Sequence, residues 1–433
     1  VAASPHGAAP APAGAAAAVS AAQAAEAAHA PIRRREFVAV IAALMALNAL
    51  AIDAMLPALQ EIGAALGEAD PNRRPLVLTA YMAGFGLGQL VVGTISDRFG
   101  RRPVLLAGLA AYVAAAAACA AAPDFATMLA ARVVQGLASA APRVVALAVV
   151  RDCYSGRAMA RLMSLAMTVF MAVPVVAPSL GQLVILAAPW RAIFGLLAAF
   201  GTAMLLWTAL RLPETLPPAR RLPLSPTRVA GAFRSVASNR QTVGYGIACG
   251  LMFGAMFGFL ASAELVFDHV FGLGPWFPAA FAAIAGTIAL SSFLNSRLVE
   301  RFGMRVLSHG ATAVFVALSA LLLGLALAGL LGFAAFMAVF GAMTCLVGMI
   351  FSNMNALAME PQGHVAGTAS SMLGCATTLI AASIGTATGM AFDGTVVPMA
   401  AGYLLCGAAA LAVVAWTERG RLFRGGSAAA GGH

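Results

Sequence analysis

Roughly twelve runs of about 20 apolar residues, joined by short arginine-bearing loops, restrict this chain more than any other feature. A run of that length crosses the hydrocarbon core of a bilayer as a helix. Only helices and closed barrels satisfy the backbone where water is absent, and the alternating pattern of barrel strands is missing. Charged residues make up 10% of the 433 residues and hydrophobic ones 61%, too little charge to cover a soluble surface. The fold class that follows is an all-α polytopic membrane protein.

A net charge of +10 does not point to nucleic acid here, because of where the charge sits. Every basic side chain is arginine, none is lysine, and the arginines concentrate in alternate loops as an orientation signal does. The chain carries no phosphate-cradling GxxxxGK[ST] loop and no metal-ligand spacing, so no cofactor or metal is expected. All six cysteines except Cys153 fall inside apolar runs and read as reduced, small hydrophobes.

The order of these runs divides the chain. Residues 1–32 form an Ala/Pro-rich tail, 33–212 a first set of six spans, 213–240 an arginine- and proline-rich linker, 241–418 a second set, and 419–433 a closing tail. The first span is expected at about 37–59 and the linker as the longest hydrophilic connection. Between spans two and three lies GTISDRFGRRPVLL, from Gly93 to Leu106. Between spans eight and nine ERFGMR, Glu300 to Arg305, echoes DRFGRR at Asp97 to Arg102. A charged loop repeated at matching places in two hydrophobic halves indicates a duplicated transporter.

Few polar residues interrupt the spans. Asp53 lies inside the first, just before Pro57. An acid in a membrane helix is costly and usually faces a cavity or a partner; the alternative is a solvated carboxylate at the membrane interface. Arg132, in span four, stays charged and is the natural partner for Asp53, although it could instead pin loops. Helical spacing puts Arg132, Gln135 or Gly136, Ser139 and Arg143 on one face. Gly93, Asp97, Arg98, Gly100, Arg101 and Arg102 read as a conformational latch, with Gly100 at the tight turn and Asp97 facing a helix N-terminus of the other half. Pro174, Pro178 and Gly181 break and thin span five. Met252, Met256 and Phe257, with Met55, Gln135 and Arg143, are candidate lining for a cavity that takes varied apolar ligands. Glu360 and His364 read as solvated turn residues.

The twelve-span plan with its central linker and GxxxDRxGRR motif resembles the major facilitator superfamily. The match is nearest its drug:proton antiporters, within them the bicyclomycin-resistance-like (Bcr/CflA) efflux branch. The stretches that carry it are DAMLPAL at Asp53, GFGLGQLVVGTISDRFGRRPVLL from Gly84, RVVQG at Arg132, VVRDCYSG at Val149, VPVVAPSLG at Val173, WRAIF at Trp190 and LPETL at Leu212. The resemblance implies two pseudo-symmetric six-helix bundles in a bacterial inner membrane with both termini cytoplasmic. It implies proton coupling at Asp53 with Arg132, and a latch that stabilises the outward-facing state. It also implies a fifth span packed tightly against the other half. Departures occur at Met55, where the family usually has Tyr, at Gln60 in place of Pro, and at Ala177 and Gln182 in the fifth-span motif.

The function expected is proton-coupled efflux of small amphipathic drugs or toxic compounds by a monomer, with the proton gradient as energy source and no enzymatic chemistry. Export of an endogenous metabolite, proton-driven uptake, a passive channel and a membrane-bound enzyme are the alternatives.

Overall fold

The computed structural model describes residues 32–221 and 226–423; the expected tails, other than residues 32 and 419–423, lie outside that range. Among the described residues there is no strand, and eleven helices are long and apolar enough to cross a membrane. The fifth span, Gly156–Ala187, is 32 residues long, and its described apolar stretch is Val173–Ala187. With it, every expected span corresponds to a long helix. Pro174 and Pro178 stand inside that helix without ending it.

Local chemistry sets the helix ends. Asp124 caps the fourth span, Phe125–Cys153, by accepting from Thr127 N at 2.8 Å. Asn239 does the same for the seventh, Arg240–Leu265, through Thr242 N at 3.0 Å. Between the second span, Leu76–Phe99, and the third, Arg101–Ala120, a single residue makes the turn: Gly100, at φ 104°. Gly303, at φ 78°, repeats this between the eighth span, Phe277–Phe302, and the ninth, Met304–Leu327. The duplicated charged loop is thus a duplicated one-residue turn.

One expectation needs correction. The first span is not continuous over 37–59: its helix runs Arg34–Asp53, gives way to a 3₁₀ turn at Leu56–Ala58, and resumes at Leu59–Ala65. Pro57 causes the break, since it offers no N–H to the carbonyl of Asp53 and its ring crowds that carbonyl. Within the linker, residues Pro226–Ser238 form a helix.

Within the first half the second span packs on the fourth, and the third on the fourth and sixth (Arg191–Arg211). Backbones approach closely where glycine allows it: a Cβ on Gly84 would strike the carbonyl of Val133, and one on Gly136 the carbonyl of Tyr81. In lipid such contacts replace the hydrophobic drive between helices. The two halves meet mainly where the second span lies along the eleventh, Ala366–Met390, and where the fifth meets the eighth. Leu186, Leu210, Leu330 and Leu405 stay exposed, as an apolar solvent permits.

Candidate functional site

The break in the first span places Asp53 at the last helical residue, 5% exposed. No hydrogen bond or ion pair reaches its carboxyl group from the described residues. It is therefore a buried acid at a helix break, not an exposed carboxylate. Gly181 of the fifth span packs on the backbone one residue further on, where a Cβ would collide with the carbonyl of Ala54. Met55, expected to line a cavity, is fully buried in this packing. The fifth span thus meets the first span of its own half at Gly181, as well as the eighth span of the other half.

Arg132 is wholly buried on the fourth span, and no ion pair joins it to Asp53. Its guanidinium donates from Nη2 to the carbonyl of Ala51 at 3.1 Å, from Nε to that of Val77 at 3.2 Å, and from Nη1 to Gln135 Oε1 at 2.6 Å. The ring of Tyr81 lies under it, 4.3 Å from centroid to Cζ, a favourable face for a cation. The helix break explains the first bond, because carbonyls near the end of a helix lose their intrahelical donors. The expected partnership is thus indirect: Arg132 grips the turn that carries Asp53.

Around this grip lies a polar cluster. Asn48 Nδ2 donates to the Tyr81 hydroxyl at 3.3 Å and to Ser139 Oγ at 3.5 Å, while Ser139 donates to the Gly136 carbonyl at 2.8 Å. Gln135 is fully buried against Arg132 and the Cys119 thiol, so it buttresses the arginine and lines no open surface. Arg143 is half-buried, 5.9 Å from the Phe85 ring centroid. Asn48 and Tyr81 were missed in the sequence. The available signal was an asparagine in an apolar span, an expense that lipid rarely permits without a role.

The latch motif forms a network, but with other partners than expected. Asp97 does not reach the other half; it accepts from Arg101, one turn on, at 2.5 Å. Arg101 also bonds Asp152 of the fourth span at 2.8 Å and Ser96 at 2.9 Å. The acid at a helix N-terminus is instead Glu214 of LPETL, which accepts from the backbone N–H of Arg101 at 2.9 Å and of Arg102 at 3.2 Å. A carboxylate is favoured there by the dipole and the unpaired amides. Glu214 lies so close to Gly100 that a Cβ would meet its carboxylate. The side chain of Arg102 caps the Ala209 carbonyl of the sixth span at 2.7 Å, Arg98 is exposed, and Gly93 faces Ser371 of the eleventh span.

The second half rebuilds this arrangement around Arg305 of the echoed loop. Arg305 bonds Glu418 beyond the twelfth span (Val397–Thr417) at 3.1 Å and Glu360, after the tenth (Phe333–Met359), at 3.2 Å. Glu360 is therefore an ion-pair partner and not merely solvated; the His364 side chain lies outside the described residues. Met252 and Phe257 are buried in helix packing, the latter against Gly385 of the eleventh span, while Met256 is half-buried.

A family model described as Major Facilitator Superfamily matches residues 38–386. The chain is 33% identical over 365 residues to the uncharacterized MFS-type transporter YdgK of Bacillus subtilis (strain 168), covering 83% of this chain and 89% of that one. It is 30% identical over 367 residues to the bicyclomycin resistance protein homolog of Haemophilus influenzae, covering 84% and 91%. Over 177 residues, 41% of this chain and 45% of the other, it is 36% identical to the multidrug resistance protein MdtL of Escherichia coli. Among solved structures, the human organic anion transporter MFSD10 (TETRAN) aligns at a TM-score of 0.61 and 20% identity, over 89% of this chain and 99% of that one. That likeness concerns the fold alone.

Proposed function

The chain belongs to the major facilitator superfamily, and on that premise we propose that it is a proton-driven exporter of small amphipathic drugs or toxic compounds. It works by alternating access, as a monomer in a bacterial inner membrane, with both termini and both arginine latches on the cytoplasmic side. The multidrug and bicyclomycin resistance names of its relatives support the substrate class.

The observation that carries this reading is Asp53: a buried acid that no hydrogen bond or ion pair reaches among the described residues, placed at a helix break that Arg132 and Gly181 both hold. A carboxyl group so placed exchanges a proton when the bilayer half it faces opens to water. In the cycle we propose, Asp53 takes a proton from outside and substrate leaves; the next substrate binds from the cytoplasm as the proton departs. Arg132 does not titrate. Its part is to keep the turn at Ala51 in register with the second span while Asp53 changes charge. A proton falling through about 100 mV yields about 2.3 kcal/mol, which drives export against a gradient without ATP.

The test is a drug-susceptibility panel in an efflux-deficient host, comparing wild type with Asp53→Asn. Resistance conferred by the wild type and lost in the variant is the expected outcome; equal resistance in both removes Asp53 from the coupling. In inverted vesicles, adding substrate should release protons from the lumen through wild type and not through the variant.

A further inference from the structure

One buried cluster takes no part in that cycle. His309, on the ninth span, is wholly buried between Tyr245 of the seventh span and the backbone of Phe423 beyond the twelfth. Its bonds assign its protons. The N–H of Phe423 donates to Nδ1 at 3.3 Å, so that nitrogen carries none. The Tyr245 hydroxyl donates to Glu418 Oε1 at 2.7 Å, so its 2.9 Å contact with Nε2 is an N–H donated by the histidine. The neutral ring is thus satisfied at both nitrogens.

The remaining charges around it are Arg305 on its own helix, Glu418, and Glu360, which also accepts from Gln241 at 2.8 Å. Together these groups tie the ends of the seventh, ninth, tenth and twelfth spans. The first half has no such group: with DRFGRR and ERFGMR in register, Leu106 stands at the place of His309. Its latch is built from arginines and carboxylates, which keep their charge near neutral pH, whereas histidine changes charge there.

We propose that His309 makes the second latch a pH-sensitive switch, in which a proton gained at Nδ1 expels the Phe423 backbone and slackens the ties to Glu418 and Arg305. A proton there sets two N–H donors against each other and adds a positive charge beside Arg305. The switch itself follows from the hydrogen bonds; only its effect on flux rests on the transport reading above.

The experiment places an environment-sensitive fluorophore on Arg421→Cys, an exposed position two residues from Phe423, in nanodiscs, with the half-buried Cys153 and Cys345 replaced by serine. Fluorescence is titrated from about pH 8 to about pH 5, the window in which histidine changes charge. A single transition is expected. It should vanish in His309→Gln, whose amide offers a donor and an acceptor but takes up no proton. In Tyr245→Phe, which leaves Nδ1 untouched, the transition should persist with a moved midpoint. No transition in the parent protein, or the same transition in His309→Gln, overturns the proposal. In proteoliposomes, acidifying both sides equally, so that the proton gradient is unchanged, should slow wild-type transport about threefold more than it slows His309→Gln. A His309-dependent transition in a protein inactive at every pH would uphold the switch and count against the carrier reading.

Discussion

At the scale of single residues, the Ala51 carbonyl connects the two charges that the first half buries deepest. Arg132 bonds that carbonyl and the Val77 carbonyl with two arms of one planar fork, while Asp53 sits two residues further along the broken helix. Lysine, with one point charge, cannot reach both carbonyls in that geometry. Arg132→Lys should therefore lower transport at least tenfold while the protein still reaches the membrane; flux in proteoliposomes, normalised to protein amount, checks this. Removing the cation altogether, as in Arg132→Leu, strands two buried carbonyls at about 1–3 kcal/mol each, and expression should fall as well. Gly181→Val should act on the same turn, because the Ala54 carbonyl leaves no room for the side chain. The expected sign is loss of drug resistance with the protein still present. The presence of Asp53 and Arg132 was legible from the cost of charge in lipid. That they would share a turn and not a salt bridge was hidden, because it depends on where the helix breaks and which way the arginine fork points.

At the scale of elements, helix ends explain more than helix faces. Glu214 caps the third span from more than a hundred residues away, accepting from two of its first amides. Glu214→Gln keeps the shape and loses the charge, so it should cost about 1 kcal/mol of stability, seen as a lower melting temperature, with a further loss of transport. Gly100→Ala should be worse on both measures, since it meets a positive φ and the Glu214 carboxylate together. Asp124 gives a pH-dependent case. Its bonds to Thr127 hold its carboxyl below the usual carboxylate range. Its contribution is thus fully present above that range and lost as pH falls through the lowered value, and Asp124→Ala should lower the melting temperature at pH 7 but have less effect in strong acid. The charged loops themselves were plain in the sequence, down to the glycine at each turn. Their partners Asp152, Glu214, Glu360 and Glu418 were visible only as scattered acids, because nothing in a linear chain states which helix ends come together. His309 had a signal, a histidine inside an apolar run, but the groups around it, Tyr245, Glu418 and Phe423, stand more than sixty residues away along the chain.

At the scale of the molecule, two halves with separate latches are held to each other along a seam of neutral hydrogen bonds. Asn72 donates to the Phe392 carbonyl at 2.7 Å, Thr79 and Thr386 share a bond of 2.8 Å, and Gln89 donates to Thr378 at 3.1 Å. No ion pair of either latch crosses the seam among the described residues. Such an interface suits parts that must separate repeatedly, since neutral bonds of about 1 kcal/mol exchange readily with water, whereas buried ion pairs are costly to break. Alternating access by rigid halves therefore makes a definite demand on the end of the seam remote from the latches, which must part once in every cycle. Thr79→Cys with Thr386→Cys should allow a short cross-linker or disulfide to join the halves there, and transport should then stop and recover on reduction. Each single variant should transport normally under the same oxidant. Full transport by the cross-linked pair would mean that the second and eleventh spans stay together at that level, and that the movement opening the site runs through the fifth and eighth spans instead.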